Sequence, residues 1–492
     1  MTSLWLDRPP IPTDGALGTS YDDLVVGAGL TGLVTALLLA RSGRAVAVAE
    51  ARQVGAVTTG HTTGKVSLLQ GTRLSHILDR QSRTVAQAYV EANREGQAWL
   101  LRFCDDHSVP YQSRTAVTYA PDDASVESAR SEQEAAASLG LPVRWTEALD
   151  VPFPHRGGAV LDDQAQLDAM DVLAALVEQV RAAGGVVVEG RRVVGASLTG
   201  DLRAELDDGS TVRADNVVLA TGIPVLDRGL YFAKVEPQRS YALAFEHPSP
   251  TELMLLSAGS LSRSVRDVPV SGGSPWLLVG GESHVVGRTR SEAACLDRLR
   301  DWTSQHYPDA RETHAWSAQD YSSHDGLPFV GRLPRGRGHV WLATGYAKWG
   351  MTNAVAAALS LVAQVHGHQP SWQRPISRRI TRPSGALEMA RLNAAVAVHL
   401  GGGLARVARH PAGEPAEGQG TVGHDGVLPV ARSVVDGRTC SLVATCTHLG
   451  GIVSWNDAER SWDCPLHGSR FAPDGSVLEG PATHPLRRRD ET

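Results

Sequence analysis

Near its C-terminal end the chain carries two cysteines, each followed shortly by a histidine: Cys446-Thr-His448 and, after 15 intervening residues, Cys464-Pro-Leu-His467. Thiolate and imidazole are ligands for zinc or for iron. Structural zinc sites favour CxxC or HxxxH spacing, whose turns aim both ligands at one ion; CxH followed by CxxH departs from it. Zinc, an iron–sulfur centre and a chance meeting of turn residues are the readings to separate. A second set lies at the other end, where Gly27-Ala-Gly29-Leu-Thr-Gly32 spells GxGxxG and Glu50 follows 18 residues after its last glycine. Such glycines permit a tight turn, close backbone approach to a pyrophosphate and close helix–strand packing, and the later carboxylate can bind ribose hydroxyls. The third feature is rarity. Of 47 basic residues 44 are arginine, and lysine occurs only at Lys65, Lys234 and Lys348. A desolvated lysine can lose its proton or stabilise a nearby anion in ways arginine cannot.

The elements that must position these groups are legible in outline. Residues 22–26 form an apolar run before the glycine turn, residues 33–43 a buried helix, and residues 45–50 a second strand: a β-α-β unit. A long amphipathic helix is expected over 73–105 and another over 168–183. Strands pair around the Asp-Asp-Gly turn and lead into VVLATG at 217–222. A helix is expected at 291–305, and GYAKWGM at 345–351 opens an apolar helix over 352–364. After Pro370 the chain becomes linker-like, with a short helix at 386–400 and a Pro/Gly/Glu-rich joint at 410–423. Short strands and turns follow, as in a small β domain.

VVLATG, DGLPFVG (325–331) and ATGYAKWGMT (343–352) resemble motifs of the FAD-dependent amine oxidoreductases, the superfamily of D-amino-acid, glycine and sarcosine oxidases. The resemblance spans roughly residues 20–366 and turns the dinucleotide into FAD. It implies cofactor contacts from Gly27, Gly29, Gly32, Glu50, Thr221, Gly222, Gly345, Gly350, Met351 and Thr352. It also implies a helix N-terminus near Thr352 that stabilises negative charge on the reduced ring. His61, in GHTTGKVS, occupies the loop where related enzymes attach FAD covalently. Lys65 on that loop and Lys348 in the flavin-facing turn become catalytic candidates, Lys234 falls on a strand bordering the substrate, and Arg239 is a candidate carboxylate clamp.

The cysteine–histidine boxes resemble those of Rieske domains, in which two thiolates hold one iron and two imidazoles the other. Leu449 and Gly450 complete CTHLG, Gly468 and Ser469 complete CPxHGS, and GPATHPL (480–486) resembles the proline loop that covers the cluster. The implied ligands are Cys446, His448, Cys464 and His467, with the histidine-held iron near the domain surface as the electron exit. Respiratory members place a disulfide where this chain has Gly451 and Leu466, and a tyrosine where it has Phe471. Fewer hydrogen bonds to sulfur imply a low-potential [2Fe-2S] cluster, towards the bottom of the ~ −150 to +300 mV range of such centres.

The expected fold is an α/β, Rossmann-like FAD-binding domain with an interleaved β-rich substrate domain, followed by a small all-β Rieske domain. The oxidoreductase would occupy 1–380, with FAD-binding segments near 20–75, 165–225 and 320–366. Residues 381–423 would be linker and helix, and 424–492 the Rieske domain. A net charge of −6 argues against nucleic acid or an anionic membrane as partner, and no apolar stretch approaches a membrane span. Five scattered cysteines and an N-terminus without an export pattern point to a reducing cytoplasm. The expected activity is oxidation of a small amine or amino acid by FAD, with electrons passing singly through the cluster to an unknown acceptor. An NAD(P)H- or ferredoxin-fed reductase with reversed flow and a non-catalytic redox sensor are the alternatives. Only one GxGxxG follows a strand, against a second nucleotide fold.

Overall fold

The computed structural model describes residues 1–269, 275–380 and 382–489. The chain enters on β1 (Ser20–Val26), passes through α1 (Leu30–Arg41) and returns on β2 (Val46–Ala49). Further along come β3 (Val186–Val188), β4 (Thr211–Leu219), β5 (Val235–Glu246), β6 (Arg311–Ser323), β7 (Phe329–Arg332), β8 (Val340–Thr344) and α2 (Gly350–Val365). One sheet runs β7-β8-β4-β1-β2-β3, parallel throughout except for β7, which is antiparallel to β8. Its central strands are covered on both faces, so their sequences are continuous apolar runs rather than alternating ones. The expected Asp-Asp-Gly hairpin joins Arg203–Leu206 antiparallel to β4. Helices α1 and α2, both apolar over most of their circumference, pack together against this sheet.

The second sheet holds the substrate-side segments. From β6 and β5 it continues through Trp276–Val285, Arg263–Val268, Leu253–Ser257, Tyr111–Tyr119 and Gly158–Leu167 to the two-residue strand Lys65–Val66. Lys65 therefore belongs to a strand of this sheet rather than to a free loop. The helix expected over 73–105 is two helices, Arg73–Arg80 and Arg83–Asp106. Ser82 takes the N-cap of the second, accepting from the Val85 amide, and this ends the first. Among the described residues no helix is long and apolar enough to cross a membrane.

The connector differs more from expectation. Instead of a short helix, Pro383–Arg409 is one helix, α3, of 27 residues that runs straight through Gly401, Gly402 and Gly403. Glycine costs about 1 kcal/mol per residue in a helix, so its far half depends on packing: Val396 and Leu400 lie on the core of the C-terminal domain. That domain comprises a three-stranded antiparallel sheet (Gly420–Asp425, Leu428–Val435, Arg438–Val443) and a four-stranded one (Ser454–Asn456, Ser461–Asp463, Arg470–Phe471, Val477–Glu479).

The C-terminal domain is bolted to the rest. Asp457 caps helix Glu292–His306, accepting from the Ser291 hydroxyl and the Glu292 and Ala293 amides at 2.6, 2.8 and 2.9 Å. Arg288 donates to the Pro465 carbonyl at 2.9 Å and Gln319 to the Gly468 carbonyl at 2.8 Å. At Gly468 the contact is so close that a Cβ would lie 2.5 Å from Pro237, and its φ of +80° is itself unfavourable for a side chain.

Candidate functional site

A long cleft runs from the GxGxxG turn to the start of α2. Gly32 is required by packing, since a Cβ there would fall 1.9 Å from the Gly27 carbonyl oxygen. Gly29 is different: its Cβ would meet only the Thr59 hydroxyl, at 3.1 Å, and would otherwise stand in the cleft where a pyrophosphate needs room. Glu50 closes β2 with its carboxylate on the turn, accepting from the Ala28 and Arg52 amides, both at 2.8 Å. Each oxygen keeps a lone pair for a ribose hydroxyl. Burial pushes the Glu50 carboxyl up, and those two amides counteract it. The residues present fit a dinucleotide.

At the other end, Thr221, Gly222, Gly345, Gly350 and Met351 line the cleft. No side chain caps the N-terminus of α2, so its first amides are left for whatever lies in the cleft. Thr352 is one residue too far round: its hydroxyl donates to Asn93 at 2.6 Å and accepts from Gln70, inside the protein. Its side chain does not line the cleft, so Thr352 bears on the cleft through its place in the first turn of α2.

A second cavity adjoins the first, the two sharing Thr58, Thr62, Asp320 and Lys348. Its walls include His61, Lys65, Tyr241, Ser264 and Trp316. Lys65 Nζ donates to the Leu255 carbonyl at 2.6 Å and the Ser264 hydroxyl at 2.8 Å. Burial, with Arg266 adding repulsion, lowers this ammonium to about 7. Lys348 sits at a positive φ of 73° in the turn before α2. Its exposed surface belongs to a residue lining both cavities, and the surrounding protein lowers it to about 8, Asp320 opposing the shift. Asp320, unsuspected from sequence, accepts from the amides of Lys348 and Tyr321 and spans both cavities.

Three expected residues are elsewhere. His61 lines the second cavity and not the cleft, with Nδ1 on the Val57 carbonyl at 2.6 Å. Lys234 places its ammonium 4.9 Å from the Tyr231 ring centroid and lines neither cavity. Arg239 is not a carboxylate clamp for a substrate. It is buried, and its guanidinium meets Glu459 at 2.9 Å and Glu479 at 3.6 Å, both in the C-terminal domain. A buried guanidinium must be paired, and here its partners are protein carboxylates.

In the C-terminal domain the two ligand boxes form facing turns. Cys446 N–H donates to Gly451 O and Cys464 N–H to Ser469 O, both at 2.8 Å. Among the described residues no three His, Cys, Asp or Glu side chains converge as for a single ion. The four divide instead into a thiol pair and an imidazole pair, the rings of His448 and His467 lying 5.2 Å apart. The Cys464 thiol hydrogen-bonds Cys446 and lowers it to about 6, against burial and with help from the Ser469 hydroxyl. The same hydrogen bond, with burial, drives Cys464 well above its ordinary value. Two thiolates here cannot both be charged without a cation between them, so the donor set suits a metal cluster. Phe471 is fully buried, and Leu466 packs where Gly451 leaves room.

The imidazole side does not open to solvent as expected. The Phe232 ring, from the other domain, stands edge-on to both, 5.3 Å from His448 and 4.8 Å from His467. The C-terminal domain in turn walls the cleft: Leu478, Glu479 and Gly480 line it, Tyr321 OH donates to the Gly480 carbonyl at 3.3 Å, and Arg192 to the Val477 carbonyl at 2.9 Å. No local pattern could have announced a wall some 450 residues beyond the glycine turn.

Comparison with known proteins agrees with this division. Residues 22–364 match the FAD dependent oxidoreductase family and residues 405–489 the Rieske [2Fe-2S] domain. YhfW of Bacillus subtilis (strain 168), named as a Rieske 2Fe-2S iron–sulfur protein, is 30% identical over 99% of this chain and 97% of its own length. Among solved structures, glycine oxidase from Geobacillus kaustophilus has a TM-score of 0.61 at 20% identity, covering 74% of this chain and all of that one. L-proline dehydrogenase from P. horikoshii has a TM-score of 0.61 at 15% identity, covering 73% of this chain and 96% of that one. The chain belongs to the FAD-dependent oxidoreductase family and is an FAD enzyme with a C-terminal Rieske [2Fe-2S] domain.

Proposed function

We propose that the protein oxidises a small amine or amino acid and relays the electrons, one at a time, through a low-potential Rieske cluster to an acceptor. One observation carries this reading: residues of the Rieske domain form part of the wall of the flavin cleft. Bound FAD accepts two electrons from an organic substrate, and a Rieske cluster accepts one. Cys446 and Cys464 are the ligands for one iron, His448 and His467 for the other. The cavity beside the cleft holds the substrate, and the solved neighbours named for glycine and L-proline support an amino compound.

The test is anaerobic mixing of the loaded protein with an amine and amino-acid panel, following flavin bleaching and the cluster's EPR signal together. At least one substrate is expected to bleach the flavin and raise the EPR signal, with a cluster midpoint below zero. Bleaching by NADH and by no amine would instead establish the reductase reading.

Lys65 and Lys348 act on substrate or flavin in this scheme. Lys65, lowered to about 7, is neutral above that pH and can take the proton of a substrate ammonium. Flavin reduction is expected to rise with pH through about 7. Lys65→Arg, which stays charged, should flatten that profile and slow reduction by about 10²-fold at pH 8, a typical general-base contribution. Lys348→Arg should slow reduction or reoxidation of the flavin. Unaltered kinetics in both variants would remove the lysines from the chemistry.

A further inference from the structure

The strand β4 ends at Leu219, and the loop after it runs from one redox site to the other. Thr221, Gly222 and Val225 line the flavin cleft. Asp227, two residues on, places Oδ2 2.8 Å from His448 Nε2. Phe232 then covers both imidazoles. The loop is held in place: Leu230 takes a left-handed φ of 52°, Tyr231–Ala233 forms a single 3-10 turn, and Asn393 of α3 donates to the Ala233 carbonyl at 3.0 Å. One short segment of the flavoprotein domain thus touches the cleft and both histidines of the cluster boxes.

We propose that Asp227 positions and tunes His448 at the cluster, and that this loop makes the imidazole side of the cluster its port to the flavin; the port rests on the relay reading above. With Asp227 on Nε2, the nitrogen left for iron is Nδ1. A ligating histidine that donates its other N–H to a carboxylate is fixed in ring orientation and made a stronger donor. The His448 side chain is 7% exposed and that of Asp227 40%, so solvent screens part of the charge and the effect is carried by the direct 2.8 Å contact. Negative charge here favours the oxidised, more positive cluster. Asp227 therefore lowers the potential in addition to what Phe471 and Leu466 omit. The transfer through the port is of one electron, lost by the flavin and gained by the cluster, with no bond made or broken. An outside acceptor must approach elsewhere, because Phe232 occupies the imidazole face.

The test uses the full-length protein loaded with both cofactors. In a mediated, EPR-monitored titration, Asp227→Asn keeps an acceptor at Nε2 and removes the charge. The reduction equilibrium of the cluster is expected to shift by about tenfold, about 59 mV upward for a one-electron couple. Asp227→Glu should restore most of it. An unmoved midpoint in Asp227→Asn overturns the role of Asp227. After flash photoreduction of the flavin, Phe232→Ala should slow cluster reduction severalfold at an unchanged midpoint, and an unchanged rate overturns the port. Wild-type protein separates the two readings. A photoreduced flavin that never reduces the cluster sinks the relay, whereas the Asp227→Asn midpoint, read at equilibrium with mediators, stands or falls independently.

Discussion

Cys464→Ser is expected to abolish the cluster and leave the flavin in place. Cys464 is buried, its thiol on Cys446 and its carbonyl accepting from the Gly468 amide in a closed turn. Iron takes the thiolate as ligand, and a serine hydroxyl in the same buried position stays protonated. With one of the four proposed ligands lost, and no other cluster of three or more His, Cys, Asp or Glu side chains among the described residues able to hold a metal, neither iron nor sulfide should be retained. The FAD cleft draws Leu478, Glu479 and Gly480 from this domain but none of the four proposed ligands, so flavin occupancy should persist. Substrate should still bleach the flavin at close to the wild-type rate, while reduction of a one-electron acceptor falls to background. Iron content, the EPR spectrum and anaerobic flavin bleaching measure the three parts. Flavin reduction lost together with the cluster would mean that the cluster does more than receive electrons.

The chemistry that sequence made legible is the chemistry written locally. GxGxxG, the turn before α2 and the two CxH/CxxH boxes are each short stretches, and Glu50 follows the first by only 18 residues, so a resemblance to known families could be carried by them and the fold class taken from it. Arg239 shows the limit. Its neighbours in sequence suggest a substrate strand, but its partners Glu459 and Glu479 come from 220 and 240 residues away, and only the docking of two domains reveals them. The cover on the histidine face was hidden for the same reason, since Phe232 and Asp227 reach it from the other domain. Rarity was a better guide than position for the lysines: two of the three line a cavity, and Lys234 rests on aromatic rings. The length of α3 was hidden because three consecutive glycines read as a stop, whereas the Rieske core supports the helix through them.

Arg239→Ala is expected to loosen the Rieske domain from the flavoprotein. Arg239 and Arg470 face Glu459, Glu479 and Asp463 in one buried cluster that bridges the domains. Arg470 Nη1 lies 2.8 Å from Glu479 and Nη2 2.8 Å from Glu459, and Nε lies 3.0 Å from Asp463. Burial alone would raise the Glu459 carboxyl, but Arg239 first and Arg470 second outweigh it and hold it at about 2. Without Arg239, three carboxylates share one cation. Breaking a buried pair by removing one partner typically costs about 3–5 kcal/mol, which weakens the docked state while the contacts at Asp457, Pro465 and Gly468 remain. The sign with pH follows from the depressed carboxyl. Glu459 contributes stability above its ordinary value near ~4.3, and in wild type this is lost as pH falls towards 2. In Arg239→Ala the carboxyl rises, so the docked form should fail at a distinctly higher pH. Because Leu478, Glu479 and Gly480 wall the cleft, loosening should also release FAD more readily and slow cluster reduction. Pairing Arg239→Met with Glu459→Gln removes both charges together and should recover much of the loss, as coupled neighbours do in a double-mutant cycle. Limited proteolysis after α3, flavin release on dilution and the acid transition read out the docking. If Arg239→Ala costs less than about 1 kcal/mol, the level of an exposed pair, the ionic bridge is not what joins the two redox domains.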